Sequence, residues 1–253
     1  MSEFDGKTAL VTGASRGIGA ATAIGLAKAG VKRVLIHYNS FPQGAEEVIG
    51  AVRAAGAQAD GIQADLGTSE GIQACLAALK EKAPAIDILI NNAGSLVKRC
   101  ALAEYTELLF DTVMNVNVKS AWFITQAAAP HMISQGSGVI VFVSSIAARN
   151  GGGPGATIYS AAKAGVATIT KGLAKELAPK GIRVNAISPG TVDNHFHEVF
   201  STREILDNVV RQTPAGRLGT NEEMADLILF LCSKAAAYIH GQTVEINGGI
   251  YMV

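Results

Sequence analysis

The stretch "TALVTGASRGIGAATAIGLAKAG", residues 8–30, decides how the rest of the chain is read. A short apolar run (8–12) meets a glycine-rich turn, and an alanine-rich segment of helical length follows. Gly13 permits a tight turn, Gly17 lets backbone approach a phosphate, and Gly19 lets a helix pack closely on a strand. The exposed N–H groups at such a helix start face an anion. The whole turn, Gly13, Ser15, Arg16, Gly17, Ile18 and Gly19, is therefore a candidate dinucleotide cradle.

Moving outward, the same alternation repeats. Strands are expected at 8–12, 33–38, 57–64, 87–91, 138–144, 183–188 and 243–247, with helices near 17–29, 43–55, 69–82, 106–134, 157–178 and 222–232. Most strand runs, such as "RVLIHY" and "GVIVFVS", are continuously apolar, as parallel strands covered on both faces require. The expectation is an α/β fold, a doubly wound parallel sheet of about seven strands with helices on both faces, in one domain over 1–253. Residues 190–221 break the rhythm. This long connection leaves the carboxyl end of the sixth strand, where ligands bind in such sheets, and reads as a substrate loop.

Composition narrows the partners. Lys+Arg and Asp+Glu both number 21, so no basic field exists to attract nucleic acid or an anionic membrane. The run "LILFLC" is far too short to span a bilayer. Cys75, Cys100 and Cys232 are too few and too scattered for a disulfide framework. With no leader expected in "MSEFDGKTALVTG", a cytoplasmic protein is the expectation.

The second strand ends "HYNSF" (37–41). Asn39 and Ser40 stand where a carboxylate would hold the adenosine ribose hydroxyls and repel a 2′-phosphate, while Arg16 in the glycine turn could clasp one. Both features favour NADP(H) over NAD(H).

Further along come "DL" (65–66), "NNAG" (91–94), Asn117 in "NVNVKSA", "SS" (144–145), "YSAAK" (159–163) and "SPG" (188–190). With "TGASRGIG" (12–19) these seven motifs, in this order across nearly the whole chain, resemble the short-chain dehydrogenase/reductase family, whose fold is Rossmann-like. The stretches "ASRGIG", "ITKGLAKELAPKGIRVNAISPG" and "GQTVEINGG" look most like 3-oxoacyl-carrier-protein reductases, and also like sugar and other alcohol dehydrogenases of the family.

The resemblance implies hydride transfer between a nicotinamide and a carbonyl or secondary alcohol. By it, Tyr159 is the general acid or base, and Lys163, one helical turn away, lowers the phenol's pKa and binds the nicotinamide ribose. Ser145 orients the substrate oxygen and Asn117 holds a relay water. Asp65 and Leu66 line the adenine, and Asn92, Ala93 and Gly94 border the adenosine and the middle of the cofactor. Pro189 and Gly190 end the sixth strand, and backbone near Val192 meets the carboxamide.

Two departures stand out. Ser145 lies fourteen residues before Tyr159 instead of thirteen, with the extra residue assigned to "GGGPG" (151–155), which leaves Ser144 and Ser145 both open. Asn194 replaces a threonine, so a cofactor contact is altered or lost. His195 and His197 have no third ligand at a telling spacing and read as loop or substrate contacts, with no metal expected. Lys98 and Arg99 are candidates for the basic surface a carrier-protein reductase would present to its acidic carrier, but read first as solvated loop charges, and Trp122, Phe123 and Met132 read as core or interface. The apolar tail (240–253) and the long helices suggest covered surface, and the resemblance implies a homotetramer acting on a small-molecule carbonyl or alcohol. A binding protein that senses NADP(H) without turnover is the alternative of another class; the complete set of four candidate catalytic residues argues against it.

Overall fold

All seven expected strands pair in one parallel sheet in the order β3-β2-β1-β4-β5-β6-β7, in a computed structural model that describes residues 2–83 and 85–253. They are β1 (Thr8–Val11), β2 (Arg33–Tyr38), β3 (Gln58–Gln63), β4 (Ile88–Asn91), β5 (Gly138–Val143), β6 (Ile182–Pro189) and β7 (Thr243–Ile246). The order reverses between β1 and β4, and a crevice opens beyond the carboxyl ends at such a reversal.

Strand periodicity builds two cores. Along β1, Ala9 and Val11 join one apolar cluster and Leu10 the other. The same split recurs at Val34 and Ile36 against Leu35, and at Ile88 and Ile90 against Leu89. On the first face lie α1 (Gly17–Lys28), α2 (Pro42–Ala54) and α10 (Asn221–Cys232), through Leu26, Val48 and Ile228. On the second lie α3 (Ser69–Lys82), α5 (Ser120–Gln135) and α7 (Thr157–Leu177), through Ile72, Ile124 and Val166. Each wholly buried Leu or Ile contributes about 2 kcal/mol.

The segment expected as one helix over 106–134 is interrupted. An α-helix, α4 (Glu107–Met114), passes through a π-helical turn, Asn115–Lys119, before α5 begins. Asn117 is the cause. Its Nδ2 donates to Val113 C=O at 2.9 Å, taking a carbonyl four residues back from the regular ladder.

Three further helices frame the crevice: α6 (Ala147–Asn150), α8 (His195–Phe200) and α9 (Arg203–Gln212). The long connection after β6 is therefore two short helices, each started by a side chain: Asn194 Oδ1 accepts from Phe196 N–H, and Thr202 Oγ1 from Ile205 N–H. Among the described residues no helix is long and apolar enough to cross a membrane.

Candidate active site

The glycine turn is strapped into place by its neighbours. Thr12, the residue after β1, accepts from the backbone N–H of both Asn92 and Ala93 at 3.0 Å. Asn92 Nδ2 returns the contact to Thr12 C=O (2.8 Å) and Gly13 C=O (3.0 Å). His37 completes the strap from β2: its Nδ1 accepts from Gly13 N–H at 3.1 Å, and its Nε2 faces Ala64 C=O at 3.1 Å. Burial pushes its imidazole down to about 4, so it is neutral, with the Nε2 proton donated to Ala64. Gly19 is needed for closeness, since a Cβ there would stand 2.4 Å from Gly13 O and 2.6 Å from Asn92 Nδ2.

The start of α1 is unlike those of α3, α4, α9 and α10, each capped by a threonine hydroxyl. Its N-cap, Arg16, gives no side-chain bond, so the first-turn N–H groups are free to hold an anion. That arrangement fits a pyrophosphate.

A cleft of about 700 Å³ runs from this turn across the carboxyl ends of β4, β5 and β6. It gathers Gly13, Arg16, Gly17, Ile18, Asn92, Ala93, Gly94, Ser145, Tyr159, Lys163, Pro189, Gly190 and Val192. Val192 forms a parallel bridge with Gly219 through the groups of Thr191 and Asp193, which leaves its own N–H and C=O turned the other way. Asn117, Ser15, Gly19, Asn39, Ser40, Asp65 and Leu66 are not on the cleft wall. Leu66 is buried in the second core, so the side chain expected against adenine packs inward instead. Asn39 donates to Asp65 Oδ1 at 3.1 Å, and Gly67 N–H donates to the same oxygen at 2.9 Å. Asn194, where a threonine contact was expected to change, caps α8 and donates to Asn221 Oδ1 at 3.0 Å.

Tyr159 and Lys163 project from the first two turns of α7, with Lys163 Nζ 5.7 Å from the Tyr159 ring centre. Ser144 is buried and spends its hydroxyl on Lys163 C=O at 2.9 Å. Ser145 Oγ instead accepts from Ala147 N–H at 3.1 Å, and its side chain draws the Tyr159 pKa downward. Both serines follow the end of β5 and reach the cleft wall, but Ser144's hydroxyl is spent on the helix while Ser145's side chain bears on the phenol.

The expected lowering of the phenol's pKa is reversed here. Burial pushes Tyr159 up to about 12, partly offset by the Ser145 side chain, and pushes the Lys163 ammonium down to about 8. Lys163 Nζ donates to Val143 C=O at 2.9 Å, away from the ring. Burial is the dominant cause of both shifts.

Asn117 sits behind this pair. Its Nδ2 donates to Ser95 C=O (2.7 Å) as well as to Val113, while its Oδ1 is buried with no partner. Gly94 is the seam between them: a Cβ there would lie 2.6 Å from Lys163 Nζ and 2.7 Å from Asn117 Oδ1. An unpartnered buried carbonyl beside an ammonium, at the edge of the cleft, fits a ribose hydroxyl or water bridging the two.

Several contributors escaped the sequence reading. Phe41 lies under Arg16, whose guanidinium carbon is 4.0 Å from the ring centre. Phe196 packs 5.8 Å from the Tyr159 ring and 4.9 Å from Phe200. Arg99 is a cross-link rather than a free loop charge: Nε donates to Phe200 C=O and Nη1 to Pro154 C=O, both at 2.8 Å. His37 had a visible signal, a single imidazole in an apolar strand just before its end; Arg99 had none.

His195 Nδ1 lies 3.1 Å from Glu198 Oε2, and His197 Nδ1 lies 3.1 Å from Ser201 Oγ. Among the described residues no group of three His, Cys, Asp or Glu could hold a metal. Met132 is wholly buried and Phe123 packs on the second core, but Trp122 is 42% exposed.

The fold agrees with what comparison with known proteins finds. A family model described as enoyl-(acyl carrier protein) reductase matches residues 13–251. The chain is 37% identical over 246 residues to the 3-oxoacyl-[acyl-carrier-protein] reductase FabG of Staphylococcus aureus, covering 97% of this chain and 98% of the relative. Among solved structures it resembles a putative NAD(P)-dependent gluconate 5-dehydrogenase from Beutenbergia cavernae with bound NADP (TM-score 0.89, 34% identity, 97% of each chain). It also resembles 7α-hydroxysteroid dehydrogenase complexed with NADH and 7-oxo glycochenodeoxycholic acid (TM-score 0.89, 33% identity, 97% of this chain and 94% of the other). The chain belongs to the short-chain dehydrogenase/reductase family. It is an oxidoreductase that interconverts CH–OH and C=O groups with a nicotinamide cofactor.

Proposed function

We propose that the protein is an NADP(H)-dependent carbonyl reductase in which Tyr159, Ser145, Lys163 and Asn117 form the catalytic set. The observation that carries this reading is that Ser145, Tyr159 and Lys163 line one cleft, with Lys163 Nζ 5.7 Å from the phenol ring centre and the unpartnered Asn117 Oδ1 behind it. The nicotinamide supplies the hydride when bound. Tyr159 Oη gives its proton to the nascent alkoxide, for which a phenol that stays protonated throughout the neutral range is suited. Ser145 Oγ holds the carbonyl oxygen beside that hydroxyl. Lys163, largely cationic at neutral pH, orients a ribose, and the unpartnered Asn117 Oδ1 holds the water that returns the proton.

The preference for NADP(H) is supported by the Arg16–Phe41 stack, which holds a guanidinium near the end of β2, and by Asp65, whose Oδ1 is already engaged by Asn39 and Gly67. Backbone of Val192, with Pro189 and Gly190, would meet the carboxamide, a role supported by their place on the cleft wall and by the bridge that leaves Val192's own N–H and C=O free. A 3-oxoacyl thioester belongs among the candidate substrates because of the 37% identical relatives. The NAD(H)-dependent sugar or alcohol dehydrogenase is the second reading, supported by the resemblance to gluconate and hydroxysteroid dehydrogenases. Exposed Leu108, Phe110, Trp122 and Met252 support a homotetramer, and the three free cysteines support a cytoplasmic location.

A panel of carbonyl substrates with NADPH and NADH, followed by nicotinamide absorbance, tests the proposal. Tyr159→Phe should lower turnover by about 10²-fold or more while dinucleotide affinity holds, and an unchanged rate refutes the assignment. Arg16→Ala should raise the KM for NADPH about tenfold and leave that for NADH nearly unchanged. Light scattering at micromolar protein tests the tetramer, which a monomer would refute.

A further inference from the structure

We propose that Arg99 receives a carboxylate carried by the substrate, which makes the reacting partner an oxo acid or hydroxy acid. This deepens the carbonyl-reductase reading and rests on it.

The cleft wall carries three cations, Arg16, Lys163 and Arg99, and no Asp or Glu. The first two are accounted for by the dinucleotide. Arg99 is the third, half-buried in the loop after β4, at the end of the cleft framed by α8. Its two hydrogen-bond partners, the Phe200 and Pro154 carbonyls, are neutral. They fix the guanidinium plane without cancelling its charge, and of its five N–H groups three have no acceptor among the described residues. No carboxylate among those residues lies within ion-pair distance of it. His197 senses the same positive field, which adds to burial in keeping its ring neutral. Asp193, whose charge also reaches His197, is exposed and off the cleft wall.

A guanidinium with open N–H groups at the edge of an apolar cleft matches a carboxylate in both charge and geometry. A neutral substrate filling the same space would desolvate that charge and leave it unpaired. The two carbonyl bonds also hold the side chain against swinging into water, so little rotamer freedom is lost on binding. Phe196 packs 5.8 Å from the phenol ring and 4.9 Å from that of Phe200, whose C=O accepts from Arg99, so an aromatic pair links the Arg99 end of the cleft to Tyr159.

The test compares a series of 2- to 6-oxo carboxylic acids with their neutral methyl amides, in the wild type and in Arg99→Gln, with NADPH present. At least one acid should be reduced with a kcat/KM about 10- to 100-fold above its amide, and Arg99→Gln should remove that ratio by lowering the acid alone. Loss of the clasp as mere scaffolding would instead lower acid and amide together, and that result refutes the proposal. Turnover of neutral ketones or a 3-oxoacyl thioester without any acid preference refutes it as well, while leaving the reductase reading intact. The same acids should raise the melting temperature of the wild-type NADPH complex and not that of Arg99→Gln. If no acid produces this shift the proposal falls, whether or not turnover is seen; if no carbonyl in either panel is reduced, the reductase reading fails separately.

Discussion

Acid should loosen the glycine turn through His37. In the folded chain its imidazole is held at about 4, against 6.5 when free, because it is buried between Gly13 N–H and Ala64 C=O. Between these values the unfolded chain binds a proton that the folded chain does not, so stability falls as pH drops through the interval. The full difference of about 2.5 pK units corresponds to about 3 kcal/mol below pH 4, of which about 2 kcal/mol is already lost at pH 5. Urea unfolding of the wild type and of His37→Gln across this range isolates the effect, since His197 and the carboxylates titrate in both. His37→Gln should be less stable at neutral pH and should lack about 2 kcal/mol of the wild-type decline by pH 5. Parallel pH curves for the two proteins refute the linkage.

Other expectations follow from the same geometry. Lys163→Met removes an amine whose burial lowers its pKa from 10.5 to about 8, so it should raise stability at neutral pH by about 1–3 kcal/mol in urea unfolding while abolishing turnover. Ser145→Ala should lose most activity at nearly unchanged stability, whereas Ser144→Ala, which removes a buried hydrogen bond to Lys163 C=O, should cost about 1 kcal/mol in the same assay. Gly19→Ala places a Cβ 2.4 Å from Gly13 O and should abolish dinucleotide binding measured by fluorescence. Gly50→Ala on the exposed face of α2 meets nothing within 4 Å and should stabilise by about 0.5–1 kcal/mol, read as a higher melting temperature.

The sheet was legible because its strands are continuous apolar runs punctuated by glycine, and residues such as Leu10, Leu35 and Leu89 have no alternative to burial. The cleft was legible in outline because its motifs sit at strand ends. What escaped depends on contacts far apart in the chain. Arg99 meets Phe200 and Pro154 across 101 and 55 residues, so in isolation it reads as a solvated charge. The π-helical turn hangs on one Asn117 side chain competing for Val113 C=O, which no periodicity reveals. The choice between Ser144 and Ser145 turns on where β5 ends, and the Tyr159 pKa on how deeply the ring is desolvated. Neither is a property of spacing.

The bare start of α1 carries a consequence for the lifetime of the protein. Four other helices close their first turn with a threonine of their own, whereas α1, like α2 and α7, has no side-chain cap, and of these it is α1 that opens beside the glycine turn on the cleft. A coenzyme that docks there serves as its lid, and at a hundredfold excess over its dissociation constant it would deepen the folded well by about 2.7 kcal/mol. Resistance to proteolysis should then track the cellular coenzyme pool, tying the abundance of the enzyme to the supply of its own reductant.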